Sequence, residues 1–150
     1  MKEYEVNDET MAILGVDDNN SKIYENNKEY KIASSSYEVM DYSCQYFGSS
    51  YSGRVDGSKR ILGANYKLPI IVEESSKMIF FPITSPEKSD CIWIALKWYK
   101  SVEQVGNTTY IILKNGKKIK TIMSKKSIEN QVMRASRLNL ILNERKLTKI

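Results

Sequence analysis

The hydrophobic positions change period along the chain. In the first third, apolar and polar residues alternate in short runs. Residues 4–6 and 11–16 flank Asn7-Asp8-Glu9, and residues 21–25 and 29–32 flank Asn26-Asn27. Such alternation turns one side of a strand toward a core, and an Asn pair between two runs favours a hairpin. The period then lengthens. Val39, Tyr42, Tyr46 and Phe47 fall at helical spacing, Ser35 and Glu38 are placed as a capping box, and Gly48 supplies a stop; together they predict a short helix over residues 36–47. Residues 48–63 are rich in Ser and Gly, lack apolar periodicity and read as a loop or an irregular binding segment.

Strand patterns return after this loop. Residues 68–72 and 77–83 read as strands broken by Glu73-Glu74-Ser75-Ser76, with Pro69 and Pro82 at ends or edges because neither can donate to a ladder. Residues 91–99 read as one long strand. It places Trp93 and Trp98 on opposite faces, so one of them is expected to be exposed or in a subunit contact. Residues 109–114 and 117–123 flank Asn115-Gly116, the preferred pair for a type I′ hairpin. From Ser127, the residues Ile128, Val132, Ala135, Leu138 and Leu142 recur at three- and four-residue steps. They predict an amphipathic helix over residues 127–143, with Glu129 near its start and Arg145 and Lys146 near its end to suit the helix dipole. The predicted class is α+β: a mostly antiparallel sheet, a short helix and a C-terminal helix, in one domain of 150 residues.

Charge changes this picture more than composition does. Residues 1–48 hold 4 Lys against 10 Asp and Glu, a net of −6, whereas residues 49–150 hold 19 Lys and Arg against 8 acids, a net of +11. This asymmetry points to a polyanion partner for the later part, set against the plainer reading of a solvated basic face. No stretch is apolar enough for a membrane-spanning helix, and the acidic start lacks a signal-peptide core; the expected address is the cytoplasm. Cys44 and Cys91 read as two buried thiols, with a disulfide or redox switch as the alternative.

Catalytic chemistry finds little support. The chain has no His, which removes imidazole bases, the common nucleophile triads and most zinc sites. No phosphate-loop or calcium-loop pattern is present, and Asp17-Asp18 and Glu73-Glu74 lie in turns. No cofactor and no metal is expected. Three basic segments are candidates for binding DNA instead. The first is the Gly-Ser segment, where Ser49, Ser50, Tyr51 and Gly53 surround Arg54, followed by Lys59 and Arg60. Its hydroxyls suit phosphate oxygens and its guanidinium groups suit phosphate or base edges; a flexible surface loop is the alternative. The second is the hairpin with Lys117, Lys118 and Lys120, whose lysines could equally protect an edge strand. The third is the last helix with Lys125, Lys126, Arg134 and Arg137, where a solvated face is the alternative.

Several runs in one order resemble the ComK family, the competence transcription factors of Gram-positive bacteria. The run Asp41-Tyr42-Ser43-Cys44-Gln45-Tyr46-Phe47-Gly48-Ser49-Ser50-Tyr51-Ser52-Gly53-Arg54 is similar to the family signature. Lys67-Leu68-Pro69-Ile70-Ile71-Val72, Ile79-Phe80-Phe81-Pro82, Cys91-Ile92-Trp93-Ile94, Asn115-Gly116-Lys117 and Ser127-Ile128-Glu129-Asn130-Gln131-Val132-Met133-Arg134-Ala135 follow as further matches.

The resemblance implies an activator, not an enzyme, that binds paired AT-rich boxes upstream of DNA-uptake genes. It implies minor-groove contact, a homodimer that pairs with a second dimer on DNA, RNA polymerase as a further partner and a nucleoid-associated location. On that reading Arg54, Lys59 and Arg60 would read the groove, while the hairpin lysines and the basic residues of the last helix hold phosphates. Longer members end in an extension that a proteolysis adaptor recognises. This chain stops at Ile150, which leaves the adaptor open as a partner. The competing reading is a regulatory protein-interaction module or adaptor whose basic face meets an acidic partner.

Overall fold

The structure is a computed structural model and describes residues 3–75 and 78–147. Its centre is a six-stranded antiparallel sheet of order β3-β2-β1-β6-β5-β4, built from β1 (Thr10–Asp17), β2 (Asn20–Glu25), β3 (Glu29–Ile32), β4 (Ile70–Glu73), β5 (Met78–Pro82) and β6 (Ile92–Ala95). A three-stranded meander of β7 (Tyr99–Val105), β8 (Thr108–Leu113) and β9 (Lys118–Thr121) forms a second sheet. The helices are α1 (Ser36–Tyr46), α2 (Tyr51–Leu62) and α3 (Lys125–Leu147). The α+β class expected from the pattern is the class observed.

Both faces of the large sheet are covered, which explains why its central strands read as continuous apolar runs rather than as alternation. Ile70, Phe80 and Trp93 point to one side, against Val39, Met40 and Cys44 of α1. Their chain neighbours Ile71, Ile79, Phe81 and Ile94 point to the other, against Val102, Ile111 and Leu113 of the small sheet and Ile128, Ala135 and Leu138 of α3. Helix α2 packs against α1, α3 and β4 at once, and so joins the two layers.

The structure revises several local expectations. Residues 4–6 form no strand: Val6 N donates to the side chain of Ser43 on α1, and the buried Tyr4 hydroxyl lies 2.6 Å from Thr10 Oγ1. The expected loop at 48–63 is mostly helix α2, capped by Ser50, whose side chain accepts from Gly53 N, and closed by Gly63 in the left-handed conformation at φ 67°. The single long strand expected at 91–99 breaks after Ala95 into a short 3-10 turn, Leu96–Trp98, that carries the chain into the second sheet. Trp93 is fully buried, and Trp98 is partly buried with Nε1 donating to the Asp8 carbonyl at 2.8 Å.

The β8–β9 hairpin is present, but its turn is not type I′. Among the described residues, Lys67 is the one non-glycine with positive φ, so Asn115 does not have it, while Gly116 has φ 89°. Gly116 N donates to Leu113 O and Leu113 N to Lys117 O, which describes a three-residue loop with a glycine bulge. Helix α3 begins at Lys125 rather than Ser127, so Glu129 falls beyond its first turn, which contains no acidic residue. The expected strand position Lys77 lies outside the described residues. Both cysteines are free and buried.

Candidate nucleic-acid interface

The Gly-Ser segment directs most of its polar groups inward. Ser50 Oγ accepts from Gly53 N at 3.0 Å and lies 3.3 Å from Ser52 Oγ. Tyr51 N donates to Asp41 Oδ1 at 3.0 Å, so a carboxylate already sits at the positive end of α2. The Tyr51 ring stands edge-on to Trp93 with centroids 6.0 Å apart, and burial pushes its phenol above the usual range. A side chain on Gly53 would start 3.1 Å from Ser50 Oγ and 3.3 Å from Ser49 Oγ, so a larger residue there would crowd both hydroxyls. The Arg54 side chain is 17% exposed and its Nη1 donates to Glu74 Oε1 at 3.2 Å. Its Nε is buried without a hydrogen-bond partner among the described residues.

The hairpin lysines divide. Lys117 Nζ lies 2.9 Å from Glu29 Oε1 and 4.2 Å from the centroid of the Tyr24 ring, and its hydrogen bond draws the Glu29 carboxyl below its usual pKa. Asn115 Nδ2 donates to Asn26 O at 3.1 Å, so the tip of one hairpin is fastened to the turn of the other. Lys118 Nζ lies 3.2 Å from Glu103 Oε1. Lys120 is exposed and has no such partner among the described residues.

Helix α3 divides in the same way. Arg134 is turned toward the connection between α2 and β4, donating from Nη2 to Tyr66 O at 3.0 Å and from Nη1 to Lys67 O at 3.2 Å. Burial lowers its pKa, and the guanidinium stays charged. Lys125, Lys126 and Arg137 are exposed and make no ion pair among the described residues. Lys125 and Lys126 occupy the first turn of α3, where the helix dipole disfavours a cation by a few tenths of a kcal/mol. Stability does not explain that placement. Lys59 and Arg60 end α2, which packs on α3. Lys59 and Arg60 thus lie in the last turn of α2, Lys67 in the connection to β4, and Lys125 and Lys126 at the start of α3. Between that connection and α3 runs an open groove of about 450 Å³, lined by Tyr66, Lys67, Ser127, Asn130, Gln131, Met133 and Arg134 and by no carboxylate.

Tyr66 and Gln131 had no place in the sequence-based set of candidates. Tyr66 lies outside every periodic run, whereas Gln131, three residues after Ile128 and four before Ala135, falls on the apolar stripe of α3, so a polar residue at a core position was the signal that could have found it.

A family model described as "ComK protein" matches residues 1–147. The chain belongs to the ComK family. A member of known name, the "Competence transcription factor" of Bacillus subtilis (strain 168), is 32% identical over 151 residues, which cover 97% of this chain and 78% of that protein. No solved structure matches the chain. Three of the six runs read as family signatures carry basic residues of the sequence-based set: the first spans the second half of α1 and the cap and first turn of α2, with Arg54, the fifth is the β8–β9 turn with Lys117, and the last is the part of α3 that carries Arg134.

Proposed function

We propose that this chain is a DNA-binding transcription activator of competence genes, that it recognises paired AT-rich boxes through the minor groove, and that it acts as a homodimer. The observation that carries the reading is the family match across residues 1–147. The unpaired cations around α2 and the start of α3 support it, because an A·T minor groove is narrow and electronegative and attracts inserted basic side chains. In this reading Lys59, Arg60, Lys120, Lys125 and Lys126 meet phosphates or the groove, while Arg54, Lys117, Lys118 and Arg134 fix the elements that present them. RNA polymerase is the partner that activation adds. The reading assigns no catalysis and no cofactor.

A second copy is proposed to cover the outward stripe of α3. Met133, Leu140 and Leu147 are 68%, 58% and 71% exposed and recur every seven residues on the side away from Ile128, Ala135 and Leu138. An antiparallel pairing centred on Leu140 would set Leu140 against its own copy, Met133 against Leu147, and Arg137 near Glu144 of the other chain.

The deciding experiment is a titration of the purified protein against duplexes with and without two AT-rich boxes at two salt concentrations. Preferential binding is expected, with log affinity falling by about 0.9 per phosphate neutralised for each tenfold rise in salt. Equal affinity for box-containing and random duplexes would overturn the reading. Salt-sensitive binding to an acidic protein without DNA preference would favour the adaptor.

A further inference from the structure

We propose that Tyr66 is an aromatic wedge that enters the minor groove at the AT-rich site, held out for that purpose by helix α3. The inference rests on the DNA-binding reading above and names a contact that reading left unassigned. Tyr66 is 74% exposed, more than any other exposed aromatic residue in the protein's described part. A ring that projects into water adds nothing to the core, yet its own carbonyl and that of the next residue are both held by side chains of α3. Arg134 holds the carbonyls of Tyr66 and Lys67 at 3.0 and 3.2 Å. Gln131, itself 3% exposed, donates from the same Nε2 to Lys67 O at 2.8 Å and to Pro82 O at 2.6 Å, tying the connection to β5.

Lys67 takes a left-handed φ of 51°, a conformation that a residue with a Cβ adopts at a cost. Strain of this kind persists where surrounding contacts impose it, and it gathers at ligand-contacting positions. Here the imposed feature is the outward path of the chain at Tyr66. The groove beside the ring carries Lys67 and Arg134 and no acidic side chain, which suits a phosphate-lined surface.

The chemistry of A·T duplex fits an inserted ring. The A·T minor groove lacks the guanine amino group on its floor, and its pyrimidine–purine steps unstack easily. Minor-groove proteins use apolar side chains as wedges at such steps, between cations that hold the adjacent phosphates.

The test measures binding and base unstacking together, using a box-containing duplex with 2-aminopurine at a TA step and a random duplex, with the wild type, Tyr66→Ala and Tyr66→Phe. Wild type should raise the fluorescence and prefer the boxes. Tyr66→Ala should lose the fluorescence rise and bind the boxes about tenfold or more weakly, the scale of one base–aromatic contact. Its affinity for random duplex, set by phosphate contacts, should stay within about twofold of wild type. Its melting temperature should be unchanged, because the ring is not packed. Tyr66→Phe should behave as wild type. A Tyr66→Ala protein with wild-type affinity and fluorescence overturns the wedge alone. Loss in Tyr66→Phe equal to that in Tyr66→Ala assigns the contact to the hydroxyl and also overturns it. A wild-type protein without preference for the boxes overturns the DNA reading and the wedge with it.

Discussion

Arg134 Nη1 donates to the carbonyl of Lys67 at 3.2 Å, and Lys67 is the one non-glycine residue among those described that has a left-handed φ, at 51°. The pair links the most constrained point of the backbone to a charge that the sequence alone would assign to solvent or to phosphate. Arg134 also donates to Tyr66 O and to Gln131 Oε1 at 3.0 Å each. Arg134→Ala takes this donor from Tyr66 O and Gln131 Oε1 and leaves Lys67 O held by Gln131 Nε2 alone, at 2.8 Å. The expected cost is about 1–3 kcal/mol, the usual range for unmaking charged hydrogen bonds at a partly buried site. A urea midpoint with an unchanged slope measures it. Arg134→Lys should recover little, since one ammonium nitrogen cannot stand at the separate positions of Nη1 and Nη2 that serve the three acceptors. A midpoint equal to wild type in Arg134→Ala would show that the turn holds itself.

Arg54 and Glu74 form a pair of unequal burial, with side chains 17% and 66% exposed. Glu74→Gln should therefore change stability by no more than about 1 kcal/mol, as for other pairs with an exposed partner. Arg54→Ala should lower the melting temperature more, because the stem of the side chain is packed as well as its charge paired. DNA affinity measured well below the melting temperature should hold within about threefold, the effect of a change away from the contact. Lys59→Ala and Arg60→Ala should do the reverse, leaving the melting temperature alone and lowering the salt slope by about 0.9 for each lost phosphate contact. If Arg54→Ala abolishes binding with an unchanged melting temperature, the arginine leaves Glu74 on binding and reads the groove itself.

Elements whose causes are local were legible in the sequence. Ser35 and Glu38 cap α1 reciprocally at 2.9 and 3.1 Å, and the hairpin turns at 26–27 and 115–116 lie between paired strands. Helix α2 was hidden by its glycines. Tyr51, Val55, Ser58 and Leu62 keep helical spacing toward the core, but Gly53 and Gly57, on the exposed side, give the segment the composition of a loop. The break after Ala95 has no Gly or Pro to announce it; Trp98, at its end, is fixed by the Asp8 carbonyl, 90 residues away. The candidate site was legible as a set of cations but not as an arrangement. Lys117 meets Glu29 across 88 residues and Arg134 meets Lys67 across 67, and such partners are fixed by the fold, not by spacing.

The two thiols make alkaline behaviour predictable. Burial pushes the Cys44 thiol up to about 12 and the Cys91 thiol up to about 11, from an ordinary value of 9.0. A group whose folded pKa is raised stabilises the fold fully below its unfolded pKa, and that contribution is lost as pH rises through the folded value. Stability should thus be level through neutral pH and decline from about pH 9 toward 11–12 as the unfolded chain gains thiolate. An aromatic disulfide reagent at pH 8 should label neither cysteine in the native protein and both in urea. Rapid labelling of native protein at the rate of a free thiol would show that one of these sites opens.

Met133, Leu140 and Leu147 place an exposed apolar side chain on the outward side of α3 every seven residues, and the charges beside the stripe are what select a partner. Arg137 and Glu144 also stand seven residues apart, so they share a helical face, and in an antiparallel pair each comes opposite the other's copy. A second chain is therefore complementary in both shape and charge, whereas a uniformly basic or acidic partner would meet repulsion from one of the two. Leu140→Glu should give a monomer by sedimentation equilibrium, with the melting temperature close to wild type because the side chain is 58% exposed. Arg137→Glu should also weaken the pair, through repulsion between the introduced carboxylate and the native Glu144 facing it, and adding Glu144→Arg should restore it. Recovery in the double exchange would separate a specific antiparallel register from simple loss of solubility. A wild type that sediments as a monomer at every concentration tested, or a double exchange that stays monomeric, would remove α3 as the self-association surface and leave the spacing of paired boxes to be set by some other face.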